Sequence, residues 1–196
     1  MPTAREQWPE LVLASGSPRR RQLLAELGLA FRVVVPDVDE TPEPGEAPAA
    51  LVGRLAAAKA ASVAGRVPDA IVLGADTVAA IDGVVLGKPA DAADARAMLG
   101  RLSGRRHQVL TGVAVATAGR VTVEIAVSTV TFAAMTEAEI AAYAATEEPL
   151  DKAGAYAIQG EADRFATIVD GAYDNVVGLP LDVVRRLLGA AGLPTS

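Results

Sequence analysis

The sequence predicts an α/β fold with a mixed sheet. Short Val-rich apolar runs, of strand length and rich in β-branched residues, alternate with longer segments whose apolar residues recur at helical spacing. Two turn signals, Asp82-Gly83 and Ala118-Gly119, each stand between apolar runs and predict hairpins, so antiparallel pairs must accompany the parallel ones. The chain of 196 residues carries no internal repeat and no low-complexity linker, and it is long enough to bury a substantial core.

Taken in order, LVLAS at Leu11 to Ser15 is a first strand, and Pro18 to Leu27 a helix with Ser17 as N-cap and proline at the first helical position. Phe31 to Val35 is a second strand. The Pro/Glu-rich stretch Thr41 to Ala47 is a loop, either an edge of a cleft or a connector. A helix follows over Pro48 to Ala64, then a long strand over Ala70 to Ile81 that ends at the Asp82-Gly83 turn. Ala92 to Leu102 is helical, Gln108 to Thr117 and Val121 to Phe132 are strands, and Glu137 to Ala145 is a helix that opens with a capping box of Thr136 and Glu139. One more strand around Phe165 to Val169 and a helix over Leu181 to Leu188 complete the pattern.

Composition narrows the chemistry. With no cysteine there are no disulfides, no thiol catalysis and no Cys-ligated zinc, and the single His107 rules out a multi-histidine metal site. A formal net charge of −6 opposes nucleic acid, but a small anion can be held where positive charge is concentrated. No apolar run reaches the roughly 18 residues of a membrane span, and MPTAREQWPE lacks the apolar centre of a signal peptide, so a cytoplasmic location without a membrane partner is expected. Fifteen of the eighteen basic residues are arginine. The three lysines, Lys59, Lys88 and Lys152, mark places where a compact point charge can matter, and Asn175 is the only asparagine.

Ser15 to Arg21 has the outline of an anion site. A strand runs through Gly16 into a helix whose free amides face the turn, and Arg19, Arg20 and Arg21 crowd the positive end of the helix dipole, where acids are normally preferred. Asp76 closes the apolar run AIVLGAD and is expected at or near a strand end, where ligands of open α/β sheets collect; it is a candidate general base or metal ligand. Asp37, Asp39 and Glu40 add carboxylates that could help hold Mg²⁺, or could simply form a solvated loop. Lys59 falls on the apolar stripe of its helix with Val52, Leu55, Ala56 and Val63, and reaches either into a cleft toward phosphate or to a structural ion pair. Lys88, in GVVLGKP, is a turn lysine able to meet an anion, although one spacer is missing for a P-loop and Pro89 stands where a metal-binding hydroxyl would be.

No GxSxG, GxGxxG or HExxH occurs, which leaves a basic cradle and a few acids, the parts needed for metal-assisted attack of water on a phosphate. Here the chain resembles the Maf nucleoside triphosphate pyrophosphatases. The resemblance rests on Ser15-Gly16-Ser17-Pro18-Arg19-Arg20, VDET at Val38 to Thr41, Ala56 to Ala60, GADT at Gly74 to Thr77, GKP at Gly87 to Pro89, LDKAGAYAIQG at Leu150 to Gly160 and NVVGLPL at Asn175 to Leu181. All three lysines and the lone asparagine fall inside these blocks.

The resemblance implies one domain over residues 1–196 with a fold akin to the inosine triphosphatases: an elongated mixed sheet flanked by helices, with two lobes and a central cleft. It implies hydrolysis of a nucleoside triphosphate to the monophosphate and pyrophosphate with a divalent cation, Mg²⁺ or Mn²⁺, and a homodimer. Asp76 would accept the proton, Ser15, Arg20, Lys59 and Lys88 would hold the triphosphate, and Glu40 with Asp76 would hold the metal. Arg19, Thr77 and Gln159 occupy the positions at which branches of the family differ, and their identities resemble the branch acting on dTTP and UTP. An arginine and an amide suit the O2, N3–H and O4 edge of uracil or thymine, whereas a 7-methylguanine would gain from an aromatic stack. Two other roles belong with the same motifs: a house-cleaning pyrophosphatase for modified nucleotides, and a nucleotide-sensing regulator of cell division or septum formation.

Overall fold

In the computed structural model, which describes residues 8–117 and 119–194, the buried strand β1 (Leu11–Ala14) runs parallel to both its neighbours, β2 (Phe31–Val34) and β3 (Ile71–Ile81). Parallel neighbours need long crossovers. Helix α1 (Pro18–Ala25) supplies the first and α2 (Pro48–Ala64) the second. The chain then turns antiparallel through Asp82 and Gly83, both at positive φ (53° and 75°), into the short β4 (Val84–Leu86). After α3 (Ala92–Leu102), β5 (Arg106–Thr117) and β6 (Arg120–Phe132) form a long antiparallel hairpin. Helix α4 (Glu137–Ala144) opens with the expected Thr136/Glu139 capping box. Three 3-10 turns over Glu148–Asp151, Ala153–Ala155 and Glu161–Arg164 lead to β7 (Ala166–Asp170), α5 (Tyr173–Val177) and α6 (Leu181–Ala190). The result is a seven-stranded mixed sheet in the order β2-β1-β3-β5-β6-β7, with β4 paired to β3 off this path.

One face of the sheet carries α2, whose Ala56, Ala60 and Val63 pack on Val12, Ala14, Val72 and Ala114, and whose Leu51, Val52 and Leu55 pack on Val78, Ala80 and Leu110. The other face is covered by two separate groups. Toward β1, Leu23 and Leu24 of α1 and Val184, Leu187 and Leu188 of α6 cover Leu13, Leu73 and Val113. Farther along, Leu99 and Leu102 of α3, Ile140 and Tyr143 of α4 and the 3-10 turns cover Ile81, Val109, Val130 and Phe132. These two groups are the lobes.

The expected long elements are present, with ends shifted by a residue or two. Helix α1 stops at Ala25, two residues early, as the chain turns toward Gly28 at φ 67°; α6 runs two residues beyond Leu188. Strand β4 is the second arm of the hairpin expected at Asp82-Gly83, whereas the one-turn helix α5 and the 3-10 turns were not foreseen, because segments of three to five residues are too short to show a period. The hairpin expected at Ala118-Gly119 is seen in the pairing of Thr117 with Arg120, although Ala118 lies outside the described residues. Residues 1–7, part of the segment read as lacking a signal peptide, also lie outside them. Among the described residues no helix is long and apolar enough to cross a membrane.

Candidate functional site

A gap in the sheet makes the site. Along one edge of β3, β1 pairs with residues 71–74 and β4 with residues 79–81, so residues 75–78 have no strand beside them there. A cleft of about 750 Å³ opens at this gap. Nine of the residues read from the sequence line it: Ser15, Arg19, Arg20, Glu40, Lys59, Asp76, Thr77, Lys88 and Gln159. Asp76 itself is a correction, since it lies in the middle of β3, opposite Gly112, and not at a strand end. It still sits just past the end of a strand, but that strand is the neighbouring β1, which stops at Ala14 beside Gly74.

Helix α1 presents the cations of the near wall. Ser15 Oγ accepts from the Ser17 amide at 3.1 Å, and Ser17 Oγ caps the helix by accepting from the Arg20 amide at 3.4 Å. Arg20 is held at two points: Nε donates to the Gly178 carbonyl (2.8 Å) and Nη2 to the Thr77 hydroxyl (2.9 Å). Burial pushes its guanidinium below the usual arginine range, against the charges of Asp76 and Glu40, which pull it back up. Arg19 reaches across the cleft to within 3.9 Å of Asp151. Arg21 is exposed and does not line the cleft, so two of the three arginines face it.

The opposite face supplies an acid-base-acid triad. Lys59, on α2, donates to Asp76 Oδ1 at 2.7 Å and lies 3.0 Å from Glu40 Oε2. Of the two alternatives for Lys59, the ion pair is present, and that buried pair lines the cleft. This approach depends on two glycines below α2. A Cβ on Gly74 would stand 2.6 Å from the Ala56 carbonyl oxygen, and one on Gly112 would stand 2.3 Å from that of Val52. Without side chains at these positions the helix lies directly on the strands. Of the acidic run, only Glu40 lines the cleft. Asp37 is exposed, and Asp39 accepts from the Thr41 amide at 2.9 Å, a local turn contact.

The far wall belongs to the second lobe. The turn bearing Lys88 is fastened by the Gly154 amide, which donates to the Gly87 carbonyl at 3.0 Å. Lys88 is exposed and forms no ion pair among the described residues. Gln159 is also exposed, on a loop clamped by Glu148, which accepts from Tyr143 Oη at 2.6 Å and from the Glu161 amide at 3.2 Å. Asp151 and Lys152 line the cleft too and pair with each other. No role was read for either from the sequence, though both fall within LDKAGAYAIQG and the retained lysine was a signal. Tyr156 completes this wall, its hydroxyl 2.8 Å from His107 Nε2.

Among the described residues no cluster of three or more acids or histidines could form a metal cage. The donor set nevertheless suits a hard cation of the Mg²⁺ kind, which takes one or two carboxylates and completes its shell with water and substrate phosphate. Glu40 and Asp76 are the two carboxylates, and Asp76 Oδ2 receives no hydrogen bond from the described residues.

A family model described as Maf-like protein matches residues 10–191. The chain belongs to this family. Among curated relatives of this Maf protein, a dTTP/UTP pyrophosphatase of Myxococcus xanthus is 56% identical over 185 residues, covering 94% of this chain and 93% of the relative. A dTTP/UTP pyrophosphatase of Symbiobacterium thermophilum is 52% identical, over 94% and 95%. Among solved structures, a HAM1 protein from Coxiella burnetii matches 65% of this chain and 75% of its own at 19% identity, with a TM-score of 0.47.

Proposed function

We propose that this Maf protein hydrolyses nucleoside triphosphates, with dTTP and UTP favoured, to the monophosphate and pyrophosphate, and that residues 1–196 act as one domain. The observation that carries this reading is the convergence of cations and a buried acid at the unpaired stretch of β3: Arg19, Arg20, Lys59, Lys88 and Lys152 line the same cleft as Asp76. The names of the curated relatives supply the substrate.

In this reading water attacks the α-phosphorus, the bond from the α-phosphorus to the bridging oxygen breaks, and pyrophosphate leaves. Asp76 takes the proton of the attacking water on Oδ2, while Oδ1 stays on Lys59. Arg20, Lys59, Lys88 and the Ser15 hydroxyl surround the triphosphate and offset the charge that gathers on the leaving oxygens. Glu40 and Asp76 would hold a divalent cation, Mg²⁺ or Mn²⁺, which when bound supplies Lewis-acid stabilisation of phosphate oxygens. Arg19 from one lobe and Gln159 from the other address the base edge. The acid among the cations favours hydrolysis over a purely nucleotide-sensing role, since binding alone needs only the cations.

The proposed homodimer would have a surface available to it. Val121, Val123, Ile125 and Val127 alternate along β6 and are exposed, and β7 pairs with β6 only from Thr129 onward. The deciding experiment is pyrophosphate release from a panel of canonical and modified triphosphates, with and without Mg²⁺. Turnover of dTTP and UTP that needs the cation supports the reading. No release from any triphosphate overturns it, and turnover confined to modified nucleotides points to house-cleaning.

A further inference from the structure

We propose that Thr111, buried beneath the cleft and absent from its lining, is a positioning residue that orients Arg20 through Thr77; this rests on the reading of Arg20 as a triphosphate ligand. Thr77 and Thr111 face each other across β3 and β5, with their hydroxyl oxygens 3.0 Å apart. Thr111 Oγ1 also lies 3.0 Å from the Asn175 carbonyl oxygen. A carbonyl can only accept, so the single proton of Thr111 is committed there. In the contact between the two threonines, Thr77 must then be the donor. With its proton turned toward Thr111, Thr77 offers only lone pairs to the cleft, which is what the guanidinium of Arg20, a donor with no acceptor, requires at 2.9 Å.

The proton order therefore runs one way, from Arg20 to Thr77 to Thr111 to the Asn175 carbonyl. Its far end is fixed. Asn175 Nδ2 donates to the Val109 carbonyl (3.1 Å) and to Ser128 Oγ (2.8 Å), and Ser128 Oγ donates to the Ala172 carbonyl (3.1 Å). The only asparagine in the chain is thus a clamp on the turn that carries both the Asn175 and Gly178 carbonyls. Gly178, at φ 122°, presents the carbonyl that accepts from Arg20 Nε, in a backbone conformation that favours glycine. Without the Thr111 hydroxyl, the Thr77 proton has one other acceptor nearby, the same Gly178 carbonyl, 3.5 Å away. It would then compete with Arg20 Nε, so both anchors of the guanidinium weaken together.

The test compares T111V, which keeps the shape and loses the hydroxyl, with T111S, which keeps the hydroxyl. In the full-length nucleotide-free protein, hydrogen exchange at Arg20 Nε–H, followed by ¹⁵N NMR, should quicken roughly tenfold in T111V and stay near wild type in T111S. Inorganic tripolyphosphate should bind T111V roughly tenfold more weakly, and T111V should add no further loss in an R20A background, because the two changes act on one interaction. Unchanged exchange and affinity in T111V, or an equal loss with and without Arg20, would overturn the proposal. If T111V does not fold, T111A makes the same comparison. Failure of the triphosphate reading looks different: wild type then binds no tripolyphosphate, while the Arg20 exchange rates still decide the role of Thr111.

Discussion

In the proposed reading, the chemistry and part of the stability both depend on the pair Asp76 and Lys59. Asp76→Asn removes a proton acceptor and a negative charge at nearly constant volume, and Lys59 keeps Glu40 as a partner 3.0 Å away. Pyrophosphate release should fall by about 10² to 10⁴ while nucleotide affinity, measured by calorimetry, stays level or rises. Near wild-type kcat would remove Asp76 from the mechanism. Lys59→Ala and Lys88→Ala separate binding from folding, because the two lysines sit in opposite environments. Lys59 is buried against Asp76, and its removal strands a buried carboxylate at a cost of about 3 kcal/mol, visible as a lower Tm. Lys88 is exposed and unpaired among the described residues, so Lys88→Ala should weaken triphosphate binding with an unchanged Tm. At residue scale one further group sets a pH limit. Burial pushes the His107 imidazole down from 6.5 to about 4. The unfolded chain then binds a proton that the folded chain refuses, so the full contribution is present above pH 6.5 and is lost as pH falls toward 4, about 3 kcal/mol in all. His107→Gln should flatten that part of the stability curve in urea titrations between pH 4 and 7.

The element that sets the geometry is α2 on its bed of glycines. GADT reads as motif letters in the sequence and Gly112 drew no notice there, but the physical content of Gly74 and Gly112 is the distance between a helix and two strands. Gly74→Ala would drive a methyl group to within 2.6 Å of the Ala56 carbonyl oxygen and 2.7 Å of the Ala60 nitrogen, both backbone atoms of α2 that cannot swing aside. The helix must lift, and Lys59 with it. The expected result is a loss of about 1 to 3 kcal/mol in stability, as for other overpacked cores, together with a fall in kcat, because Asp76 loses its 2.7 Å contact. Retention of both wild-type stability and kcat would show that the helix height does not matter. Helix α1 works in the reverse sense. Its Ser17 cap and Pro18 were legible because capping is local in sequence, and the structure keeps both. The motif singled out Arg19 and Arg20, which line the cleft; how Arg20 is anchored was not legible, since that depends on the Gly178 carbonyl, 158 residues away in the chain.

For the molecule as a whole, the proposed base recognition draws on two lobes and not on any one segment. Arg19 stands on α1 in the first lobe, and Gln159 lies beyond the 3-10 turns in the second, with the cleft between them. If they read the pyrimidine edge together, cytosine, which presents an amino group in place of O4, leaves polar groups of the site unpaired at a cost of about 1 to 3 kcal/mol. kcat/KM for UTP and dTTP should then exceed that for CTP by roughly ten to over a hundredfold. The double substitution Arg19→Trp with Gln159→Glu should erode this preference and improve turnover of 7-methyl-GTP, whose cationic ring would meet an aromatic face and a carboxylate. Equal hydrolysis of CTP and UTP by the wild type would remove edge recognition as the basis of selectivity. Asp151 complicates the first lobe's part, because it lies 3.9 Å from Arg19 and, in the proposed reading, would have to release it to the base; an exposed pair of this kind holds by less than about 1 kcal/mol.

By itself the sequence determined what is local or periodic. Strand and helix order follow from apolar spacing, the hairpins from Gly-centred turns, the helix starts from Ser17, Pro18 and Thr136, and the nine candidates that line one cleft from residue type and motif. Tertiary structure alone decided how those residues are used. It placed Asp76 in mid-strand beside the end of β1, set Asp37, Asp39 and Arg21 outside the cleft, and joined Arg20 to Thr77, Thr111 and Asn175. The division has a physical cause. Caps, turns and faces are written within a few residues, whereas a gap between β1 and β4, the height of α2 over Gly74 and Gly112, and the direction of a proton through two hydroxyls depend on strands that meet only when the sheet is assembled.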